Sequence, residues 1–549
     1  MKAMFIFLAA MHLCLAAVAA TNTRVPPAGL RIGDVDHEEL SAGVAQLGKE
    51  IQALRVELAS RPPLLELLPD VQIFHKAVDW PLRYDEFYRS NEVAVARNLL
   101  KQGMERAQQL RSGKAPWITA TGLVVRGYVS KIDGSVEPYG LVVPANFEPT
   151  MHTPCRLDVW LHGRDNNLTE LKFIADRQRS FGEFSPARAF VLHPYGRYCN
   201  AFKFAGEIDV FEALEHVKKS YPIDSSRLAM RGFSMGGAGA WHLAAHHPDV
   251  WAAAAPGAGF SETEDYTGAL TKGTKLSTWE QKLWQLYDAT DYAANFFNLP
   301  VVAYNGTDDK QRQAADMMEK AMRAEGLTLT RVWGTNVGHK YTPESKREIS
   351  KFVDDAIERG KEASPNEVRF TTRTLRFNRA PGVEVLGLQQ HWLRADVIVT
   401  ETDQRLEIAT TNVTEFKIAR AVKAALRDVR VNGEPVRATA RTEADRAIVH
   451  LLRQRDDSWI DGSVPAARST TLRKVPQLQG PIDDAFMDSF LIVRPTGKPQ
   501  NEKVRAWIST RLAKATNEWR AQFRGDARVK DDVDVSDADI AAHNLILFG

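Results

Sequence analysis

The run Arg231-Gly-Phe-Ser-Met-Gly-Gly-Ala-Gly239 sets a Gly-x-Ser-x-Gly pattern between an apolar stretch, Leu228 to Met230, and a helical pattern through Trp241, Leu243 and Ala244. Strand, tight turn and helix in that order is the setting of a nucleophilic serine. Such a turn strains the serine backbone, and a side chain at Gly232 or Gly236 would collide with neighbouring backbone. Ser234 is thereby lifted clear of its sheet. The amide of Met235 falls at a helix N-terminus, where a developing negative charge is favoured. The plainer alternative is a glycine-rich turn whose serine only caps the helix.

A serine hydroxyl attacks poorly at neutral pH unless a base takes its proton and a carboxylate orients that base. In this setting the expected chain order is serine, acid, histidine. After the apolar strand Pro300–Gly306 the histidines are His339, His391, His450 and His543, the last three in the C-terminal region. His339, in the loop Thr335-Asn-Val-Gly-His-Lys340, is the expected general base. The acid should follow the strand, within Asn305-Gly-Thr-Asp-Asp-Lys310, where Asp308 and Asp309 both qualify. One would orient the imidazole and the other cap the next helix.

An oxyanion hole needs two donors aimed at the forming alkoxide. Met235 N–H is one. Trp160-Leu-His-Gly-Arg164 follows an earlier strand and offers the second: Gly163 lets the backbone approach and the Arg164 amide donates, while His162 shapes the loop. His193-Pro-Tyr-Gly-Arg197 closes a neighbouring strand at the same edge, so Tyr195, Arg197, Glu207 and Asp209 become candidates for substrate contact, with Trp284 beside them. Equally, Arg197 with Glu207 reads as a structural ion pair and Asp209 as a helix cap. His242, His246 and His247 read as helix-surface or packing residues. Neither a metal nor another cofactor is expected.

The elements that must place these residues form an alternating series. Leu123–Ile132 and Val136–Val143 around Asp133-Gly134 make a hairpin. Strands Leu157–Leu161, Phe190–His193, Leu228–Phe233, Trp251–Ala255, Pro300–Gly306 and Leu327–Trp333 then alternate with helices near 168–179, 210–219, 311–325 and 342–359. This implies a mostly parallel sheet with helices on both faces. Residues 259–299, rich in aromatics, interrupt the series and read as a cap over the C-terminal edge.

Upstream, Asp36 to Ser60 carries Leu40, Val44, Leu47, Ile51, Leu54 and Leu58 at helical spacing, with Asp36 and Glu39 resembling a capping box. This stripe is expected to pack on its own chain. A second helix runs from about Asn91 to Leu110, and the aromatics between them read as core or interdomain contacts. Beyond Ser364 alternating strands suggest a β-sandwich-like module, followed by strand Phe490–Val493, helix Asn501–Phe523 and strand Asn544–Phe548. The expected divisions are a leader (1–20), a helical segment (21–113), the α/β unit (114–360) and a β-rich domain (365–549).

His162-Gly163, Gly232-Phe-Ser-Met-Gly-Gly237, Gly306-Thr-Asp-Asp309 and Gly338-His339 together resemble the prolyl-oligopeptidase-like branch of the α/β-hydrolases, over roughly residues 114–360. The resemblance implies an α/β-hydrolase fold and a serine–aspartate–histidine triad. It favours Asp309 over Asp308, because the branch commonly carries its acid in a Gly-x-x-Asp pattern. Two departures stand out: the N-terminal segment is too short for a β-propeller, and Asn305 stands where the branch often has histidine. The first turns the expectation towards an esterase.

In bulk, Lys plus Arg number 71 against Asp plus Glu 69 in 549 residues. So even a balance argues against nucleic acid as a partner. The first twenty residues read as a cleavable secretory leader with Ala17-Val-Ala19 at its end, and no later stretch reads as a membrane span. Cys155 and Cys199 sit at opposite ends of their strands and are not expected to bridge. Sequons at Asn167, Asn305 and Asn412 are expected to be chance. The expected activity is a secreted serine hydrolase acting on small-molecule or polysaccharide esters. A serine peptidase is the near alternative, and a non-catalytic carbohydrate- or surface-binding protein the distant one. Oligomeric state is left open.

Overall fold

The computed structural model describes residues 26–269, 273, 275–402, 405–421, 428–463 and 472–548, so the leader expected over residues 1–20 lies outside the described residues. Its centre is an eight-stranded sheet: β1 (Gly122–Val129), β2 (Val136–Val143), β3 (Cys155–Leu161), β4 (Phe190–Pro194), β5 (Ile223–Phe233), β6 (Ala253–Gly257), β7 (Val302–Gly306) and β8 (Thr330–Gly334), in the order β1-β2-β4-β3-β5-β6-β7-β8. β1 and β2 form the expected antiparallel hairpin, β2 runs antiparallel to β4, and the remaining pairs are parallel. Parallel strands buried on both faces call for continuous apolar runs, and β4, β6 and β7 are buried at every position.

Three long helices precede the sheet: α1 (Asp34–Glu57), α2 (Pro69–Tyr84) and α3 (Glu92–Arg111). All six residues of the α1 stripe are buried, and they join the core shared with α2, α3 and the sheet. Asp36 and Glu39 make no capping box; both bind Arg97 of α3 instead. α2 is the element the sequence hid. Proline stands at its first turn and again at Pro81, and the aromatics Phe74 and Trp80 on it are buried.

Along the sheet run α4 (Glu170–Arg177), α5 (Ala205–Ser220), α6 (Met235–His246), α7 (Gln313–Ala324) and α8 (Pro343–Arg359). The insert divides in two. Its front half carries short helices at 264–267 and 278–284, and its rear half is a 3-10 segment, Ala289–Phe297, that turns away to grip the next module. Asn295 donates to Ala245 O and Thr371 O and accepts from Thr371 N, while Asn298 donates to Arg369 O. Only the front half can therefore cover the C-terminal edge.

Those last contacts fall on β9 (Glu367–Thr372), the first strand of a two-sheet sandwich with a single apolar core that includes Val385, Val397, Leu406 and Phe416. The closing segment is a three-stranded parallel sheet, with Phe490–Arg494 between Val529–Asp531 and Asn544–Leu547, and α9 (Glu502–Phe523) packed on it. It docks on the β1–β2 hairpin: Phe490 N donates to Ile132 O, and Trp519 Nε1 to Asp133.

That docking rests on buried charge. Arg524, fully buried, pairs with Glu86 and with Glu170 of α4 at 2.6 Å each. Lys76 donates to Arg524 O and pairs with Glu137 at 2.9 Å. Removing one member of a buried pair leaves the other uncompensated, at a cost of about 3–5 kcal/mol. Arg524→Ala is accordingly expected to destabilise the protein by about that amount, read as a lower urea midpoint for the transition that releases the closing segment. An unchanged midpoint would mean that the segment is held by its apolar contacts alone.

Candidate active site

Ser234 has φ 58° and ψ −120°, a conformation other residues avoid and one that costs on the order of 1–3 kcal/mol. Backbone packing enforces it. A Cβ at Gly236 would enter the Leu161 carbonyl, and one at Gly232 would enter the Gly236 carbonyl. Ser234 N donates to Gly257 O at 2.8 Å, and Ser234 O accepts from Ala238 N at 3.0 Å, the first turn of α6. The serine thus stands where β5 becomes α6, with the Met235 amide directly behind it at the helix start.

β7 and β8 pair in register, Gly306 opposite Gly334, so the loops after them leave the same edge together. Asp308 N donates to Val337 O and Asn336 N to Thr307 Oγ1, lacing the two loops. A Cβ at Gly306 would meet the Gly338 carbonyl, so glycine is what lets the loops close. His339 Nδ1 then lies 2.8 Å from Asp309 Oδ2. With Asp309 ionised, Nδ1 carries the proton and Nε2 is left as a base. Asp309 is buried and its other oxygen accepts from Gln311 N, whereas Asp308 is exposed. Of the two carboxylates the sequence left open, Asp309 is the one behind the imidazole.

The His339 ring packs on Phe233 at 4.7 Å, one residue from Ser234, and is itself over a third exposed. Tyr304 donates to Lys340 O and anchors this loop from below. Among the described residues Ser234 Oγ makes no hydrogen bond. Serine–histidine contacts are often long before substrate binds.

Gly163 faces the serine: a Cβ there would sit 3.7 Å from Ser234 Cβ. Its loop is fixed by His162, bonded to Gly163 O at 2.8 Å and Tyr195 O at 2.9 Å. The Arg164 side chain turns to solvent and bonds Asn166.

Four of the candidate substrate contacts are engaged elsewhere. Tyr195 is buried and donates to Leu168 O, bracing the Gly163 loop. Arg197 is buried against Asp133 at 2.9 Å, so its ion pair is with the hairpin and not with Glu207. Glu207 bonds His247 and Tyr287. Asp209 is no helix cap either: it accepts from Gly196 N and Tyr128 O–H. Tyr195, Arg197 and Asp209 brace the loops that frame the site, a role that long-range partners conceal from sequence. Trp284 is half-buried on the short helix 278–284. Trp279, among the aromatics that mark the insert, is exposed on the same helix. Cys155 and Cys199 are free thiols, as expected, and the Asn305 side chain is too buried to carry a glycan.

The sheet order, the strained serine at the end of β5 and the aspartate–histidine pair after β7 and β8 define the α/β unit as an α/β-hydrolase domain of the serine hydrolase class. Residues 206–358 match the prolyl oligopeptidase family, a span that holds Ser234, Asp309 and His339. No curated protein matches the chain. Similar solved structures include a thermostable esterase, at 18% identity over 44% of this chain and 63% of that one, with a TM-score of 0.30. The apo S-formylglutathione hydrolase of Staphylococcus aureus shows 17% identity over 43% of this chain and 100% of its own, with a TM-score of 0.32. A puromycin-hydrolyzing peptidase of Mycobacterium tuberculosis shows 15% over 42% and 38%, with a TM-score of 0.30. At these values none of them argues for a substrate.

The insert buries a carboxylate. Asp288 accepts from Thr263 Oγ1 at 2.6 Å, and burial pushes its carboxyl up to about 7, with Thr263 and Lys203 opposing and Asp291 adding to the rise. A folded pKa above the ordinary 3.8 means that the folded state binds more protons between those values. The stability tied to Asp288 is therefore full below about pH 4 and lost as pH rises towards 7. Asp288→Asn is expected to remove this slope, making the variant about 1–3 kcal/mol more stable than the parent at pH 8 relative to pH 4.5. Parallel slopes in urea titrations of the two proteins would contradict it.

Proposed function

We propose that the protein is an exported carboxylic-ester hydrolase working through an acyl-enzyme. The observation that carries this reading is the Asp309–His339 pair at 2.8 Å, held at the sheet edge where Ser234 stands. In this reading His339 Nε2 takes the Ser234 proton as Oγ attacks the ester carbonyl. The Met235 and Arg164 amides, with Gly163 allowing the approach, stabilise the tetrahedral oxyanion. Asp309 steadies the imidazolium that forms. The imidazolium then protonates the departing alcohol, and water, deprotonated by the same nitrogen, releases the acid and restores the serine.

Access favours esters over peptides. Among the described residues nothing like a propeller stands before the α/β unit; three helices do, packed into its core on the side of the hairpin. The front of the insert presents Tyr266, Trp279 and Leu283 to solvent, an apolar rim suited to an aryl or sugar-linked acyl group. A peptidase would use the same three residues, since a triad that cleaves amides also cleaves esters. Export belongs to this reading because residues 1–20 read in sequence as a secretory leader; no helix among the described residues is long and apolar enough to cross a membrane.

A substrate panel tests the reading: p-nitrophenyl esters, acetylated and feruloylated sugars, and short peptide amides. Ester turnover is expected to dominate; amide turnover without ester turnover would overturn the assignment. Within the panel, Asp309→Asn is expected to lower kcat about 10⁴-fold, and Asp308→Asn to leave it within a few fold. Equal losses would remove Asp309 from the role given to it.

A further inference from the structure

A second constellation of reactive side chains lies behind the elbow, on the far end of the helix that Ser234 begins. His242 and His246 stand four residues apart on one face of α6, and Glu207 reaches them from α5. All three are at most 2% exposed, and one ligand atom from each lies within 4.8 Å of the others. The sequence reading took the histidines for surface or packing groups and expected no metal. The spacing of the pair is visible in sequence, but the third member sits 35 residues away on another helix.

Buried polar atoms are almost always hydrogen-bonded, so unpaired ones need a reason. Here several collect in one place. His246 has no partner at either ring nitrogen, His242 none at Nδ1, and the Tyr292 hydroxyl none at all. His246 is held by rings alone: Phe377 stacks on it at 3.6 Å and Tyr292 meets it edge-on at 4.5 Å. His242 Nε2 lies 3.0 Å from Ala201 O, a carbonyl that can only accept, so Nε2 bears the proton and Nδ1 keeps its lone pair. A ligating histidine typically donates its other N–H to a backbone carbonyl in this way. Glu207 is steadied at both oxygens, by His247 Nε2 and by the Tyr287 hydroxyl, each at 2.7 Å.

We propose that Glu207, His242 and His246 form a structural site for a divalent transition-metal ion of the zinc type. Two imidazole nitrogens and one carboxylate oxygen suit zinc better than a hard cation such as calcium or magnesium. Tetrahedral bonds of about 2.0–2.2 Å place donors roughly 3.3–3.5 Å apart, so the three groups would draw inward by about an ångström. The ion would fasten α5 to α6 beneath Phe377 of the sandwich, tying the nucleophile's helix to the C-terminal module. His242 and His246 stand towards the C-terminal end of α6, away from Ser234 at its start, and Glu207 meets them from α5, so the role is in folding and rigidity and not in the hydrolytic step.

The test uses the full chain expressed with zinc in the medium and purified without chelator. Elemental analysis is expected to find about one zinc per chain. Stripping with dipicolinate should lower the melting temperature by several degrees, and zinc should restore it. Cobalt put in place of zinc should give visible d–d absorption. His246→Gln and Glu207→Gln should each lose the metal. Should either variant fail to fold, the parent protein still decides the matter. Parent protein with well under one metal per chain, and no response of its melting to zinc or cobalt, overturns the proposal. Full metal content in folded His246→Gln overturns it equally.

Discussion

The architecture depends on one close approach, the contact of the β5–α6 turn with the carbonyls of the β3 end. Leu161 and Gly236 touch backbone to backbone, and only a missing Cβ permits it. From that contact follow the left-handed Ser234, the free helix-start amide behind it and the nearness of Gly163. The strain, on the order of 1–3 kcal/mol, is small beside the apolar burial of the sheet. Residues such as Leu157, Val159, Met230 and Ala254 are essentially inaccessible, and each large one contributes about 1.5–3 kcal/mol. A rigid sheet can therefore hold a residue where a loop would let it relax.

The frame around this point is electrostatic as much as apolar. The Gly163 loop is braced by Tyr195 and Tyr198 and by Cys199, whose thiol lies 3.1 Å from Asp165 O. The turn that supplies these braces holds Arg197, Tyr198, Ala201, Phe202 and Phe204 at positive φ. Asp209 and Asn200 tie it down through Gly196 and Phe202. Arg197 in turn meets Asp133 of the hairpin, which also accepts from Trp519 near the far end of the chain. Arg524 reaches Glu170 at the start of α4, just beyond the same loop. The C-terminal segment thus supports the Gly163 side of the site across more than 300 residues of sequence.

These distances explain what could and could not be read from the chain. Glycines and apolar periods report local geometry, so the sheet, the α1 stripe, Ser234 and His339 were legible. The residues alone left Asp309 one of two neighbours, separated from Asp308 only by the resemblance, because burial and aim depend on the β8 loop it faces. Tyr195, Arg197 and Glu207 were misplaced for the same cause. Their charge and position at the sheet edge look like recognition, while their partners Leu168 O, Asp133 and His247 are set by the fold. α2 was hidden because prolines at its start and near its end mimic breaks, yet one sits in the first turn and the other in the last. Asp36 and Glu39 fit a capping pattern, but Arg97 offered both a stronger partner.

The central claim is that Ser234 is a nucleophile made reactive by the groups converging on it. The most direct measurement is intact-mass and peptide mapping after exposure of the native protein to a fluorophosphonate. The account predicts one phosphonyl adduct per chain, on the peptide containing Ser234, and none after denaturation or in Ser234→Ala. An unmodified native protein, or an adduct on any other residue, would contradict it.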